Sequence, residues 1–232
     1  WEEALLDYST GLSNTAWLVD HIHPSLVGAP VFGEVLAATI ARLTTTGNKI
    51  PSYNSDRWLS TNPYLTGDSS GKATGWTIAN FGSGVPTPTK VTRDDNTTAE
   101  WQQVVVSGPG ARGDGMQMTQ DGAGYAEGDI LQSVIEIEFD ESSWAAWGFE
   151  LQCRITDDAG TRRAYAPYLG NTNDLNSLTS TMPRPVAQDG RILTFWTPPN
   201  TVGENPTRIS FAFYLRGTGT VRLRRAGIVK VN

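Results

Sequence analysis

Apolar and polar residues alternate one by one along the second half of this chain, and that repeat restricts its fold more than any other feature. Leu131, Ser133, Ile135, Ile137 and Phe139 fall on one side of such a pattern, with Gln132, Glu136 and Glu138 on the other. A repeat of two belongs to a strand with one face buried. Trp147, Phe149, Leu151, Cys153 and Ile155 alternate in the same way with Glu150, Gln152 and Arg154. Ile209, Phe211, Phe213 and Leu215 alternate with Ser210, Ala212 and Tyr214, and Val221 and Leu223 with Arg222 and Arg224. Asp157-Asp158-Ala159-Gly160 has turn chemistry, so residues 161–166 are predicted to return as a hairpin. Further strands are predicted at 76–81, 101–107, 115–119, 191–197 and 228–231. About nine strands joined by glycine- and proline-rich turns make a mainly β chain, a β-sandwich of jelly-roll type.

Composition supports that class. The 232 residues include 24 Gly and 13 Pro, which favour many short strands, and eight Trp, seven Tyr and seven Phe, enough to fill a core. The single Cys153 excludes an internal disulfide, and its place in an alternating apolar run makes it a core side chain. A net charge of −6 argues against nucleic acid as a partner, because phosphate contact needs a positive surface. No apolar run approaches the length of a membrane-spanning helix. The opening Trp1-Glu2-Glu3 reads as a processed or truncated start rather than a signal peptide.

The head of the chain has another character. Trp1, Leu5, Leu6 and Tyr8 suggest a short helix end over residues 1–9. Further on stand Asp20-His21-Ile22-His23-Pro24-Ser25 and Gly28, then Phe32, Val35, Leu36, Ile40 and Leu43 at helical spacing, with Pro30 suited to a helix start and Gly47 to a stop. An Asp three residues before a His can orient the imidazole that takes a proton from a serine. Asp20-x-x-His23-Pro-Ser-x-x-Gly resembles the last motif block of the SGNH (GDSL-type) hydrolases, which lies before the final helix of an α/β domain. The resemblance implies that Asp20 and His23 are the acid and base of a catalytic site. The family's serine and oxyanion-hole blocks precede this motif, so the nucleophile would have to lie on an upstream segment. Gly67-Asp68-Ser69 lacks the preceding apolar strand and reads as a turn. Two His and one Cys do not make a zinc site.

From Asn62 onward the chain resembles the jelly rolls of carbohydrate-binding modules. The residues that carry this likeness are Asn62-Pro-Tyr-Leu65-Thr-Gly67 followed by Gly75-Trp76, Gly128-Asp129-Ile130, the segment from Thr194 to Pro199, and the closing run from Gly219 to Val231. The expected organisation is then a C-terminal fragment of an SGNH-like domain over 1–43, a linker over 44–61 with Trp58 and Leu59 docking it, and a jelly roll over 62–232. The resemblance implies no cofactor, though modules of this type often carry a structural Ca²⁺. Asp94-Asp95-Asn96 and Asp157-Asp158 are the candidate positions for that ion, and turn chemistry accounts for both.

Sugars are held by aromatic faces and by planar amide, carboxylate and guanidinium groups. The off-core sides of the predicted strands supply Gln132, Glu136, Glu138, Glu150, Gln152, Arg154, Tyr214 and Arg222, which would give one sheet a polar concave face. Trp196, Tyr165, Tyr168 and Trp144 are expected at loops or edges, whereas Trp76, Trp101 and Trp147 are expected in the core. The competing reading of the polar positions is a solvated face of Glu–Arg pairs, each worth little. Arg112-Gly113-Asp114 reads as a glycine-rich turn, and Asn96-Thr97-Thr98 is a glycosylation sequon that matters only in a eukaryotic secretory route.

Three functions fit these features. The first is a non-catalytic module that attaches a phage tail-fibre-like or secreted polysaccharide-acting protein to a surface glycan, on a virion or outside a cell. The second is an SGNH-type carbohydrate esterase served by an upstream serine. The third is a structural virion protein whose jelly roll makes subunit contacts only, expected as a homo-trimer.

Overall fold

The computed structural model describes residues 6–7, 12–13, 57–92, 100–108, 112–140, 143–169, 181 and 192–231. Asp20, His23, the helix expected after Pro30, the Asp94-Asp95-Asn96 run and the sequon lie outside the described residues. Chain contacts divide the molecule into two compact units, Trp1–Ser52 and Tyr53–Asn232.

In the first unit β1 (Leu6–Asp7) pairs antiparallel with β2 (Leu12–Ser13). At Leu6 and Asp7 a strand stands where the helix end over residues 1–9 was expected; the other residues of that stretch lie outside the described residues. A helix of so few residues gains too few hydrogen bonds to offset its nucleation.

The second unit is a mainly β, jelly-roll-like sandwich. Its strands are β3 (Thr77–Phe81), β4 (Val85–Thr92), β5 (Glu100–Ser107), β6 (Gly115–Asp121), β7 (Ile130–Phe139), β8 (Ala145–Asp157), β9 (Gly160–Leu169), β10 (Leu193–Trp196), β11 (Asn200–Thr201) and β12 (Arg208–Lys230). All their pairings are antiparallel. The long strand β12 belongs to both sheets. Its first half lies between β6 and β8, giving a front sheet in the order β3-β6-β12-β8-β9. Its second half lies between β5 and β7, giving a back sheet in the order β4-β5-β12-β7-β10, with β11 also on β7.

Glycines allow that crossing. Gly217 has a φ of +97°, and the ladder with β8 shifts register between Arg216 and Gly217. The alternation gives separate stretches over 209–215, 221–224 and 228–231, but the backbone runs as one strand through Gly217, Gly219 and Gly227. The shift leaves Trp147 as the extra residue between Ala146 and Gly148. Ala146 takes the buried position and Trp147 is half-buried, not a core residue as its parity had suggested.

The inner faces meet as the alternation requires. Leu131, Ile135, Ile137 and Phe139 of β7 and Val104 and Val106 of β5 share one core with Met116, Met118, Phe149, Leu151, Cys153, Ile155, Phe211 and Phe213 of the front sheet. Each fully buried large side chain contributes about 1.5–3 kcal/mol. Trp76 and Trp101 are buried as expected, and Trp76 packs edge-on against Phe211. Trp58 bridges to Val229, and the Leu59 N–H donates to the Ile228 carbonyl at 2.9 Å, so both dock onto the sandwich.

Strand β4 was not anticipated, because Pro86 and Pro88 argue against a ladder. It pairs only with β5 among the described strands. At an edge one side of the ladder asks for no N–H donor, so proline is tolerated there. The hairpin from β8 to β9 turns at Asp158 and Ala159 as predicted, with Asp157 opposite Gly160.

Candidate functional site

Because β12 changes sheets, the predicted site residues divide between two surfaces. Glu150, Gln152, Arg154, Tyr214 and Tyr165 lie on the outer side of the front sheet. Glu136, Glu138 and Arg222 lie on the outer side of the back sheet, with Trp196 at its β10 edge. The expectation of one shared polar face fails for a non-local reason: Tyr214 and Arg222 are on one strand but on opposite layers of the sandwich. Tyr168 is described by its backbone alone, opposite Phe149.

On the front face, register builds rows across the sheet. Tyr214 stands between Gln117 and Glu150, and Ala212 between Thr119 and Gln152. Gln152 is opposite Tyr165, and Arg154 is opposite Arg163. Arg154 Nε donates to Gln152 Oε1 at 2.8 Å, and its Nη2 donates to the Tyr214 hydroxyl. Gln152 Nε2 donates to Glu150 Oε2 at 3.1 Å, and Arg216 Nη2 donates to Glu150 Oε1 at 3.2 Å. The Arg216 guanidinium lies over two rings, with its carbon 4.0 Å from the Phe81 centroid and 4.7 Å from that of Tyr214. Arg154 lies 5.5 Å from the Tyr214 centroid, and the Phe81 and Tyr214 rings meet edge to face at 5.3 Å. Cation–π contacts of this kind contribute about 0.5–2 kcal/mol each. Together they hold flat polar groups in fixed orientations. Tyr165, 55% exposed, stands on β9, paired only with β8 among the described strands.

The back face is a ladder of ion pairs. Arg222 donates to Glu138 Oε1 at 2.5 Å, to Asp140 Oδ2 at 3.0 Å and to Gln103 Oε1 at 2.9 Å. Arg225 grips both oxygens of Glu136, and Arg224 Nε lies 3.6 Å from the same carboxylate. Two consecutive arginines reach one acid because β12 shifts register again between Leu223 and Arg225. The hydrogen bond to Glu136 raises the Arg225 pKa further. Three carboxylates answer three guanidinium groups, which is the ion-pair reading of the polar positions. Trp196 is 45% exposed.

Other candidates resolve into structure. Ser69 lies in a turn closed by the Ser69–Lys72 bridge, and Asp68 accepts from the Gly71 N–H at 2.7 Å. Among the described residues no cluster of three His, Cys, Asp or Glu gathers to hold a metal. Asp157-Asp158 does not fit Ca²⁺. Asp157 is engaged by the Arg162 guanidinium and by the N–H groups of Ala159 at 3.1 Å and Gly203 at 3.0 Å, so a cation already occupies its coordination space. The Arg162 hydrogen bond, together with those N–H groups, outweighs burial and lowers the Asp157 pKa. Burial pushes the Cys153 thiol up to about 12, so it is a core side chain and not a nucleophile.

Sequence reading missed Arg216, Phe81, Gln117 and Arg163. Arg216 was within reach, since it follows Tyr214 by two on the same strand. Arg163 was also within reach, since the predicted hairpin sets it against Arg154.

No protein-family profile matches the chain, and no curated protein sequence matches it. Among solved structures, similar ones include the enzymatically active domain of tailspike protein 4 of bacteriophage CBA120, at 14% identity and a TM-score of 0.46, covering 73% of this chain and 22% of that one. The chain thus spans under a quarter of that tailspike domain. The CBM22-1 xylan-binding domain of Paenibacillus barcinonensis Xyn10C is similar at 10% identity and a TM-score of 0.43, covering 73% of this chain and 92% of that one. TmCBM61, solved with β-1,4-galactotriose, is similar at 10% identity and a TM-score of 0.41, covering 75% and 99%. No residue role or ligand passes to this chain from likenesses at that level.

Proposed function

We propose that the sandwich is a non-catalytic glycan-binding module, that the front face holds the sugar, and that it attaches the protein carrying it to a surface glycan on a virion or outside a cell. One observation supports this reading. Arg154, Gln152, Glu150 and Arg216 form a hydrogen-bonded run of planar groups, and Tyr165 offers an exposed ring opposite Gln152. A sugar needs both parts: an aromatic plane for its C–H surface and oriented planar groups for its hydroxyls. Preorganisation matters here, because a side chain already held in place loses little freedom on binding. On this reading Glu136, Glu138 and Arg222 stabilise the back sheet, and Trp196 is not a ligand contact.

A glycan array followed by calorimetric titration of the 232-residue chain tests the assignment. Tyr165→Ala is expected to weaken binding at least tenfold, and Trp196→Ala to leave it within twofold. Binding that depends on Trp196 and not on Tyr165 moves the site to the back sheet. An array with no bound glycan ends the proposal.

A further inference from the structure

Arg154 and Arg163 face each other directly across β8 and β9 on the outer side of the front sheet. Like charges placed so are unfavourable. Neither has an acidic partner among the described residues. The donors of Arg154 go to the neutral oxygens of Gln152 and Tyr214, and Arg163 is exposed. The other strand arginines are neutralised: Arg162 by Asp157, Arg208 by Asp121, Arg216 by Glu150, Arg222 by Glu138 and Asp140, and Arg224 and Arg225 by Glu136. The chain as a whole has 24 acidic residues against 18 Lys and Arg, so acids are not scarce. Among the described residues the front face therefore carries four arginines, Arg154, Arg163, Arg208 and Arg216, against two carboxylates, Asp121 and Glu150. The unbalanced pair adjoins the exposed ring of Tyr165, which follows Arg163 by two residues on the same side of β9.

We propose that the glycan held on this face is acidic, and that Arg154 and Arg163 receive a sugar carboxylate while Tyr165 stacks on the ring that bears it. The inference rests on the glycan-binding reading above and names its ligand class. Guanidinium suits the task because its planar fork matches a carboxylate with two parallel hydrogen bonds. A carboxylate there also removes the repulsion between the two arginines, so the face is electrostatically complete only when it is bound. At an exposed site the attraction is screened by salt, which gives the interaction a signature that stacking on Tyr165 lacks.

The test titrates the full chain with oligogalacturonate and with its carboxyl-reduced, neutral counterpart, alongside an array holding sulfated and phosphorylated glycans. The uronate is expected to bind at least tenfold more tightly than the reduced form, and to weaken about tenfold between low salt and roughly 0.5 M salt. Arg163→Ala, a change at an exposed side chain, is expected to erase the preference, and Arg163→Lys to restore part of it. Equal or tighter binding of the neutral form, still lost in Tyr165→Ala, overturns the acidic ligand and leaves the glycan reading intact. Preference for sulfated or phosphorylated glycans over every carboxylated one overturns the carboxylate. Polyacrylate binding as tightly as the uronate also overturns the proposal, because charge alone would then suffice. Silence toward every glycan tested removes both readings.

Discussion

The two outer faces of the sandwich look alike in the sequence and differ in the fold. Each is a row of Glu, Gln and Arg alternating with core residues. On the back face each guanidinium finds a carboxylate, and Glu136 serves two. On the front face guanidinium groups stack on Phe81 and Tyr214 and bond to amide and phenol oxygens, leaving Arg154 and Arg163 without an acid among the described residues. The contrast teaches that charge content along a strand does not distinguish a stabilising surface from a receptive one. Cross-strand register decides it, by setting which side chains stand opposite.

The largest expected effect comes from joining the faces wrongly. At Gly217, where β12 leaves one sheet for the other, an added Cβ would lie 2.8 Å from the Ala145 carbonyl oxygen, in a backbone conformation of positive φ. Gly217→Ala is expected to cost about 2–3 kcal/mol in urea unfolding. It should also weaken glycan binding, because Arg216 is the preceding residue. A variant of wild-type stability would show that the crossing tolerates a side chain and that the two faces are less tightly coupled than the ladder implies.

Removing one acid from each face sharpens the comparison. Glu136→Ala strands Arg224 and Arg225, whose side chains are 38% and 26% exposed. Breaking a fully buried pair costs about 3–5 kcal/mol, so partial exposure reduces the expected loss to about 1–2 kcal/mol. Glycan affinity should not move. Glu150→Gln leaves Arg216, at 8% side-chain exposure, without its carboxylate. Its loss of stability is expected to be similar, but binding should change with it. If Glu136→Ala alters affinity and Glu150→Gln does not, the roles of the faces are reversed.

Much of this architecture was legible locally and little of it non-locally. The strands β7 and β8 and the turn at Asp158 and Ala159 follow from alternation and turn chemistry within a few residues. Strand β4 was hidden by Pro86 and Pro88, whose tolerance depends on being at an edge. Strand β12 was read as three pieces because its alternation changes phase at the register shifts by Gly217 and Arg224, where the strand itself continues. The division of Glu136, Glu138 and Arg222 from Glu150, Gln152, Arg154 and Tyr214 follows from the crossing at Gly217, which no single segment reveals. Tyr214 beside Arg216 was legible on one strand, but Phe81, the nearer of its two rings, comes from β3, far away in the sequence.

Acid should loosen the sandwich at its ends before its faces are tested. The Arg162 hydrogen bond and two backbone N–H groups, against the opposing pull of burial, hold the Asp157 carboxyl below the usual carboxylate range. Burial pushes Asp129 up, but Lys230 and the Ala126 N–H together bring it below the ordinary value. A carboxyl with a depressed native pKa contributes fully above its unfolded value, near 4, and loses that contribution as pH falls through the native one. The urea midpoint is therefore expected to be steady from about pH 7 to 5 and to fall below about pH 4. Asp157→Asn should flatten that fall, and an unchanged profile would remove Asp157 from the acid response.

The smallest effect on stability separates the faces most cleanly. Arg163→Ala removes an exposed cation that faces another and has no acidic partner among the described residues. Its unfolding free energy is expected to stay within about 0.5 kcal/mol of wild type, on the side of a gain, because a like-charge opposition disappears. Arg222→Ala on the back face removes the guanidinium that Glu138 and Asp140 share and is expected to cost about 1–2 kcal/mol, discounted for an arginine that is 29% exposed. Paired urea titrations measure both. Equal losses would mean that Arg163 has a stabilising partner after all. A neutral Arg163→Ala beside a costly Arg222→Ala would mean that one face spends its charge on the fold and the other keeps it for something outside.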